Sequence, residues 1–411
     1  MSSNRFFKTL SVFFLVTANF SITSAATREE LENKLYANSL ELKSLESEVQ
    51  AQENRKNSGY SSFMPSLNAV GGWAKNKTDE DDEKGMVGYL QGSANIFSGL
   101  SGLSQLNLEK QKLSLAQVNY ELRKQALREE LTEVLTSMIS LHRLEKILDE
   151  EYKITQTQKV MAAKKVSAGL TSQVDNLEFE LRESEIQIQR RNIAQLHDEA
   201  HQKLNSLFNA EIKDNELDSL EFRTLESLKQ NRSAKHHQNH PENKKAIIEE
   251  EIAQSEKQGF TSELLPKLDL TYAFGRLTPS EEKLKYNESE VALTLTIPLF
   301  SGLDSYWKRK ASVANVAAKE LSKTQTQLNT KALFKRLNTK FSELMDLYQI
   351  YQKKAASSEK YYNLTLAEYK RGVKNSPDLV GATERYFDTK KKSIEIQKEI
   401  ELLSVQLDQF N

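Results

Sequence analysis

Six histidines are the side chains best suited by type to metal or acid–base chemistry, and their spacing limits what they can do. His197 and His201 stand one helical turn apart, but Asp198, Glu199 and Ala200 lie between them. The zinc-protease pattern requires glutamate directly after the first histidine, so it fails here and both read as surface residues. His236, His237 and His240 fall in a charged stretch with no cysteine or carboxylate at zinc-ligand spacing, so a solvated loop is expected there. The sequence carries no phosphate-cradling glycine loop, no cysteine and no histidine set beside a serine or carboxylate constellation. The chain therefore does not read as an enzyme, and no cofactor or metal is expected.

What the chain does contain is a phrase written twice: Asn95-Ile96-Phe97-Ser98-Gly99-Leu100, and again Pro298-Leu299-Phe300-Ser301-Gly302-Leu303. The surroundings repeat with it. Pro65 and Pro266 precede the two phenylalanines, and Gly169 and Gly372 follow them at equal distance, so the chain is two copies of a unit about 203 residues long. Residues 1–26 read as a secretory signal, with Arg5 and Lys8 before the apolar run Leu10 to Phe20 and Ser24-Ala25-Ala26 as a small-residue cleavage site. That run is too short to span a bilayer as a helix, and no later stretch is long and apolar enough to do so. The formal charge is -1, and removing Arg5 and Lys8 lowers it to about -3, which offers no basic field to nucleic acid. Without cysteine, an exported chain must hold together by packing alone.

Glycine and proline mark out the elements, because both interrupt helices. They cluster from Gly59 to Gly102, from Gly259 to Gly302, and at Gly169, Gly372, Pro377 and Gly381, with Pro241 alone between the copies. From 103 to 168 there is neither, and Leu106, Leu113, Leu131, Val134, Met138, Leu141, Leu144 and Leu148 recur at helical spacing. A helix of that length runs roughly 100 Å. It is too polar for a globular core and needs partner helices to sheathe it. The first repeat, 27–241, is read as a short helix, a strand pair at about 66–97, a long helix at 100–168, a return helix at 173–209 and a linker at 210–241. The second, 242–411, is read as a short helix, a strand pair at about 267–299, a long helix at 303–371 and a return helix at 378–411. Gly169 and Gly372 end the long helices, as residues that tolerate the left-handed turn.

The strand pairs alternate. Leu268, Leu270, Tyr272 and Phe274 share one face, as do Val291, Leu293, Leu295, Ile297 and Leu299, with polar residues such as Asp269, Thr271, Thr294 and Thr296 between them. Leu67, Ala69, Gly71 and Trp73, and then Leu90, Ala94 and Ile96, repeat this more weakly. Strands of about ten residues, tilted, suit a membrane barrel with lipid outside and water inside. Four strands cannot close one, because the smallest membrane barrels have about eight. Open edges in lipid leave backbone groups unpaired, so several chains must each give strands to one barrel.

In its two-fold repeat, its proline followed by alternating strands, its Phe-Ser-Gly-Leu entry into each long helix, and its turns Val166-Ser167-Ala168-Gly169-Leu170-Thr171 and Tyr369-Lys370-Arg371-Gly372-Val373, the chain resembles the TolC-like outer-membrane efflux protein family. The resemblance covers essentially the whole mature chain. It implies a mainly α fold with a small β part, in which a long-helix α-barrel continues into a transmembrane β-barrel. It also implies a homotrimer with four strands per chain and twelve in the barrel, set in outer-membrane lipid and reaching into the periplasm. The implied partners are a periplasmic adaptor protein and an inner-membrane transporter that drives export, the trimer being a passive gated duct in efflux or type I secretion.

Carried over residue by residue, the resemblance places inward carboxylates at Asp175 and Asp378. It places a tyrosine that can tie to Asp175 at Tyr369, and a gate cation at Lys374, where the family has arginine. Gly381 stands where a second carboxylate would follow Asp378. Gly169, Leu170, Thr171, Gly372 and Val373 are the implied adaptor-contacting tips. Read on their own, Asp175 and Asp378 are also ordinary first-turn helix carboxylates, and Tyr369 is also a helix-packing aromatic. Gly99 and Gly302 are expected to supply the permissive backbone of the strand-to-helix junctions, with Phe97 and Phe300 at the membrane boundary. The competing reading is a pore-less periplasmic coiled-coil adaptor or scaffold, in which both strand pairs would be soluble.

Overall fold

The computed structural model describes residues 27–77, 82–212, 217, 220–230, 236–262, 264–280, 288–299 and 303–410. The signal segment, most of the acidic tip expected at 79–83, and the junction residues Phe300 and Gly302 lie outside the described residues.

In the first repeat, α1 (Arg28–Asn38) and α2 (Leu40–Gly59) lead into β1 (Ser66–Lys77) and β2 (Asp82–Phe97). Then come α3 (Ser101–Ser167), α4 (Gln173–Phe208) and a short α5 (Leu225–Gln230). The second repeat runs α6 (Pro241–Ser262), β3 (Lys267–Ser280), β4 (Glu288–Thr296), α7 (Asp304–Lys370) and α8 (Ser376–Asp408). Both long helices, α3 and α7, have 67 residues.

The short first helix, expected as one element over 28–56, is divided at Ser39, whose extended backbone (ψ 113°) ends α1 while its hydroxyl accepts from the Leu42 N–H to start α2. At the other end of α1, Thr27 and Glu30 form a reciprocal capping box. Strand β4 stops at Thr296, short of the expected 299, just before Pro298, which has no N–H to give a ladder.

The strands form one antiparallel sheet in the order β1-β2-β3-β4, so β2 and β3 join the two repeats. Register puts Leu90 opposite Phe274, Gly92 opposite Tyr272, Leu270 opposite Leu293 and Tyr272 opposite Val291, which gathers the apolar side chains on one face. The other face is polar: the Ser66 and Ser93 hydroxyls lie 2.7 Å apart, and Asn95 Nδ2 donates to Asp269 Oδ1 at 2.7 Å. Strands β1 and β4 are the edges.

The helices keep the same order. Near the sheet they lie side by side as α2, α3, α6 and α7; in the distal half α4 and α8 take the places of α2 and α6 against α3 and α7. Of the stripe along α3, Leu131, Val134, Met138 and Leu141 are buried against α1, α2 and α4, while Leu106 and Leu148 are buried elsewhere along the rod. A matching core joins α7 and α8 through Leu337, Phe341, Leu344, Ile396 and Ile400.

The segment expected as a solvated linker contributes to these cores. Phe222 packs with Ile139, Ile147, Phe387 and Ile394, and Leu228 joins the α7–α8 core. His240, expected in that loop, is 5% exposed; its ring lies 4.7 Å from Phe410, and its Nδ1 accepts from the Glu242 N–H at the start of α6. His197 and His201 are half-buried with their rings 5.1 Å apart, not freely at the surface.

Candidate functional site

The far ends of the long helices make two tips with the same backbone. Each ends in a left-handed glycine, Gly169 at φ 69° and Gly372 at φ 82°. Behind it the chain closes a Schellman pair, Leu170 N–H to Lys165 O at 2.9 Å and Val373 N–H to Glu368 O at 3.0 Å. No atom lies within 4 Å of where a Cβ would stand on either glycine, so it is the turn, not crowding, that calls for glycine. Leu170 and Val373 project into solvent, 75% and 71% exposed.

Behind the tips Ala162, Phe179, Tyr362, Tyr369 and Leu379 make a small core shared by α3, α4, α7 and α8. Tyr369 is at its centre, 1% exposed, with its ring edge-on to Phe179 at 6.1 Å and 72°. Burial raises the phenol pKa, the Asp175 charge adds to that rise, and the nearby Ser376 hydroxyl lowers it. The buried Tyr369 and Ser376 hydroxyls are neighbours that fall outside hydrogen-bond geometry, and neither has another partner among the described residues. The expected tie from Tyr369 to Asp175 is therefore electrostatic proximity without a hydrogen bond. Asp175 instead accepts from the Thr171 hydroxyl of its own turn. Asp378 starts α8 with its N–H on the Asn375 cap, and its carboxylate lies 3.8 Å from Lys374, a half-exposed pair of small energetic weight.

Two features of this region carry no signal in the sequence. Lys165 looks like an ordinary last-turn helix lysine, yet its Nζ lies 3.9 Å from the centroid of the Tyr369 ring and donates to the Tyr369 carbonyl. Further from the tips, Glu151 on α3 is fully buried and is paired with Arg182 of α4 and with Lys391 of α8 at 2.8 Å. Arg182 also reaches Glu384 of α8 at 2.9 Å. Burial opposes the Arg182 charge, but Glu151, Glu185 and Glu384 outweigh it and hold the guanidinium pKa above its usual value. A long Lys- and Glu-rich helix has many such residues, and only packing decides which are buried.

At the opposite end, Gly99 (φ 64°) and Leu100 (φ 70°) make a left-handed turn between β2 and α3, and Leu303 (φ 66°) caps α7 in the same conformation. A Cβ on Gly99 would come within 2.6 Å of the Ser262 carbonyl oxygen and 2.7 Å of Leu265 Cβ, so this turn is pressed against the entry to the second repeat's strands. Phe97 is half exposed beside it. The apolar sheet face is open to its surroundings, with Leu67, Trp73, Val291 and Leu293 each more than 60% exposed. Among the described residues no helix is long and apolar enough to cross a membrane.

The sequence profile of the family described as outer membrane efflux protein matches residues 31–210 and 234–410. The chain belongs to that family, whose members are outer-membrane channels of efflux systems and not enzymes. Among solved structures, the outer membrane protein VceC of Vibrio cholerae is similar with a TM-score of 0.77 at 10% identity, over 93% of this chain and 94% of that one. A membrane protein of Pseudomonas aeruginosa scores 0.79 at 14% identity, over 93% and 89%. The CmeC outer membrane channel of Campylobacter jejuni scores 0.75 at 12% identity, over 93% and 84%. At these identities the likeness is one of fold: an α-barrel with a β-barrel. Comparison with curated proteins returns no match. Membership in an outer-membrane family sets aside the reading as a pore-less periplasmic adaptor.

Proposed function

We propose that the protein is the outer-membrane duct of a tripartite efflux or type I secretion system: three copies enclose one passage, an adaptor meets the helix tips, and an inner-membrane transporter drives export. The observation that carries this is the constant order of elements. Strands, sheet-proximal helices and distal helices each form a layer with one edge in each repeat: β1, α2 and α4 from the first, β4 and α7 from the second. Unpaired strand edges are untenable in lipid. A head-to-tail contact between one copy's first edge and the next copy's last edge closes a ring.

Exposed apolar residues lie on both helical edges, Val174, Leu181 and Ile188 on α4 and Ile350, Tyr361 and Leu364 on α7, which suits that contact. The apolar sheet face would then meet lipid and the polar face, with Asn95 and Asp269, would line the passage. Gly169, Leu170, Thr171, Gly372 and Val373 would receive the adaptor, and Asp175, Tyr369, Lys374 and Asp378 would form the gate just inside it. Phe97 with Gly99, and Phe300 with Gly302, would mark the change from lipid to water.

The test is to fractionate cells, ask for a heat-resistant trimer in the outer membrane, and reconstitute it in planar bilayers. A trimer that gives discrete conductance steps is expected. Recovery of the mature chain in the soluble periplasm, or a trimer that conducts no ions, would overturn the reading.

A further inference from the structure

The mouth contains a cation that none of the expected gate residues supplies. Lys165 stands in the last turn of α3, and its Nζ makes two contacts to one residue of the other repeat: the face of the Tyr369 ring, with 3.9 Å to the centroid, and the Tyr369 carbonyl oxygen. Both are favourable for an ammonium. The ring face carries the negative lobe of the aromatic quadrupole, and the carbonyl belongs to the end of α7, where acceptors lack helical partners and the dipole favours positive charge. That carbonyl also takes the Gly372 N–H at 3.1 Å, so the ammonium bears directly on the turn that shapes the second tip. Phe179 of α4, itself fully buried, fixes the ring edge-on. Neither contact uses the phenol hydroxyl, whose polar neighbour is the buried Ser376 hydroxyl, and the Asp175 carboxylate is occupied by Thr171.

We infer that Lys165 is the latch of the periplasmic mouth: its ammonium, seated on the Tyr369 ring and carbonyl, holds the second repeat's tip against the first and favours the closed duct. This rests on the channel reading above. It makes Lys165 and Phe179 positioning residues of the gate and makes the ring of Tyr369, not its hydroxyl, the group that matters.

The mature trimer in planar bilayers tests it. Lys165→Met, which keeps the length and loses the charge, is expected to raise open-state occupancy by roughly 2- to 30-fold, the range set by one cation–π contact. Tyr369→Leu is expected to do the same, while Lys165→Arg and Tyr369→Phe stay closed. Since the chain has no cysteine, Lys165→Cys can be treated with 2-bromoethylamine, which rebuilds an ammonium at that position. Opening in the untreated variant and closure after treatment would establish the role of the charge independently of folding.

Wild-type occupancy in Lys165→Met would overturn the inference while leaving the channel intact. So would Tyr369→Phe opening as far as Lys165→Met, because the hydroxyl would then be the tie. Failure of the wild-type trimer to conduct at all would overturn the channel reading itself.

Discussion

His240 shows how one side chain can tie the waist of the molecule to its pH. Its Nδ1 accepts from the Glu242 N–H at 3.2 Å, so the ring hydrogen is on Nε2, 2.9 Å from Gln409 Oε1, and Gln409 in turn donates to Glu129 of α3. A second proton would remove the acceptor and place a donor against a donor. Burial lowers the His240 pKa below 6.5, outweighing Gln409 and Glu242, which favour the charge. The folded state therefore prefers the neutral ring, so this contribution is complete above the unfolded pKa and is lost as pH falls below it. The detergent-solubilised protein should melt lower at about pH 5.5 than at about pH 7.5. His240→Asn, which can still accept from Glu242 and does not titrate, should show a smaller difference; an undiminished one would remove His240 as the cause. Arg182→Ala should cost about 3–5 kcal/mol, because it strips a partner from the fully buried Glu151, and a melt unchanged from wild type would show that Lys391 alone satisfies that carboxylate. In the sequence His240 stands among charged residues with no sign of burial. The residue that covers it, Phe410, is 170 positions away.

Among the elements, the glycines separate two kinds of turn. Gly169→Ala meets open space and has only the left-handed backbone to oppose it, an expected cost of about 1–2 kcal/mol. Gly99→Ala has the same backbone problem and also places a Cβ within 2.6 Å of the Ser262 carbonyl. It should reduce trimer yield sharply while leaving helix content by circular dichroism nearly unchanged; equal yields for the two variants would show that the junction is not a tight contact. Most elements were legible because helix interruption and strand alternation are local. The long helices follow from the gap between glycines, and the strands from period-two patterning. The errors were also local. α6, expected over 242–257, runs to Ser262, because Gly259 near its final turn costs only about 1 kcal/mol, whereas Ser39 divides α1 from α2 without either breaker residue. Of the proposed mouth, the sequence displays only the turn glycines and the first-turn carboxylates. Lys165 and Phe179 gain their roles from α3, α4 and α7 lying together, which no spacing along one helix reveals.

At the scale of the whole molecule, the two faces of the sheet should respond differently to charge. Leu293→Arg on the open apolar face should cost about 2–4 kcal/mol if that face lies at the bilayer midplane and should lower the amount of trimer in the outer membrane, while Thr271→Arg on the polar face should assemble and alter conductance. Equal assembly of both would mean that neither face meets lipid. The equal length of α3 and α7, 67 residues each, has a different consequence. The two rods act as matched gauges: each sets both the height of its tip and the compass direction of every side chain at that tip. One residue inserted in α7 alone would raise its tip by about 1.5 Å and swing Tyr369 through about 100°, away from Lys165. Seven would restore the bearing to within about 20° but leave one tip standing roughly 10 Å beyond the other, breaking the level rim. The duplicated halves are therefore bound to change length together, so that a length change in one rod survives only with its counterpart in the other.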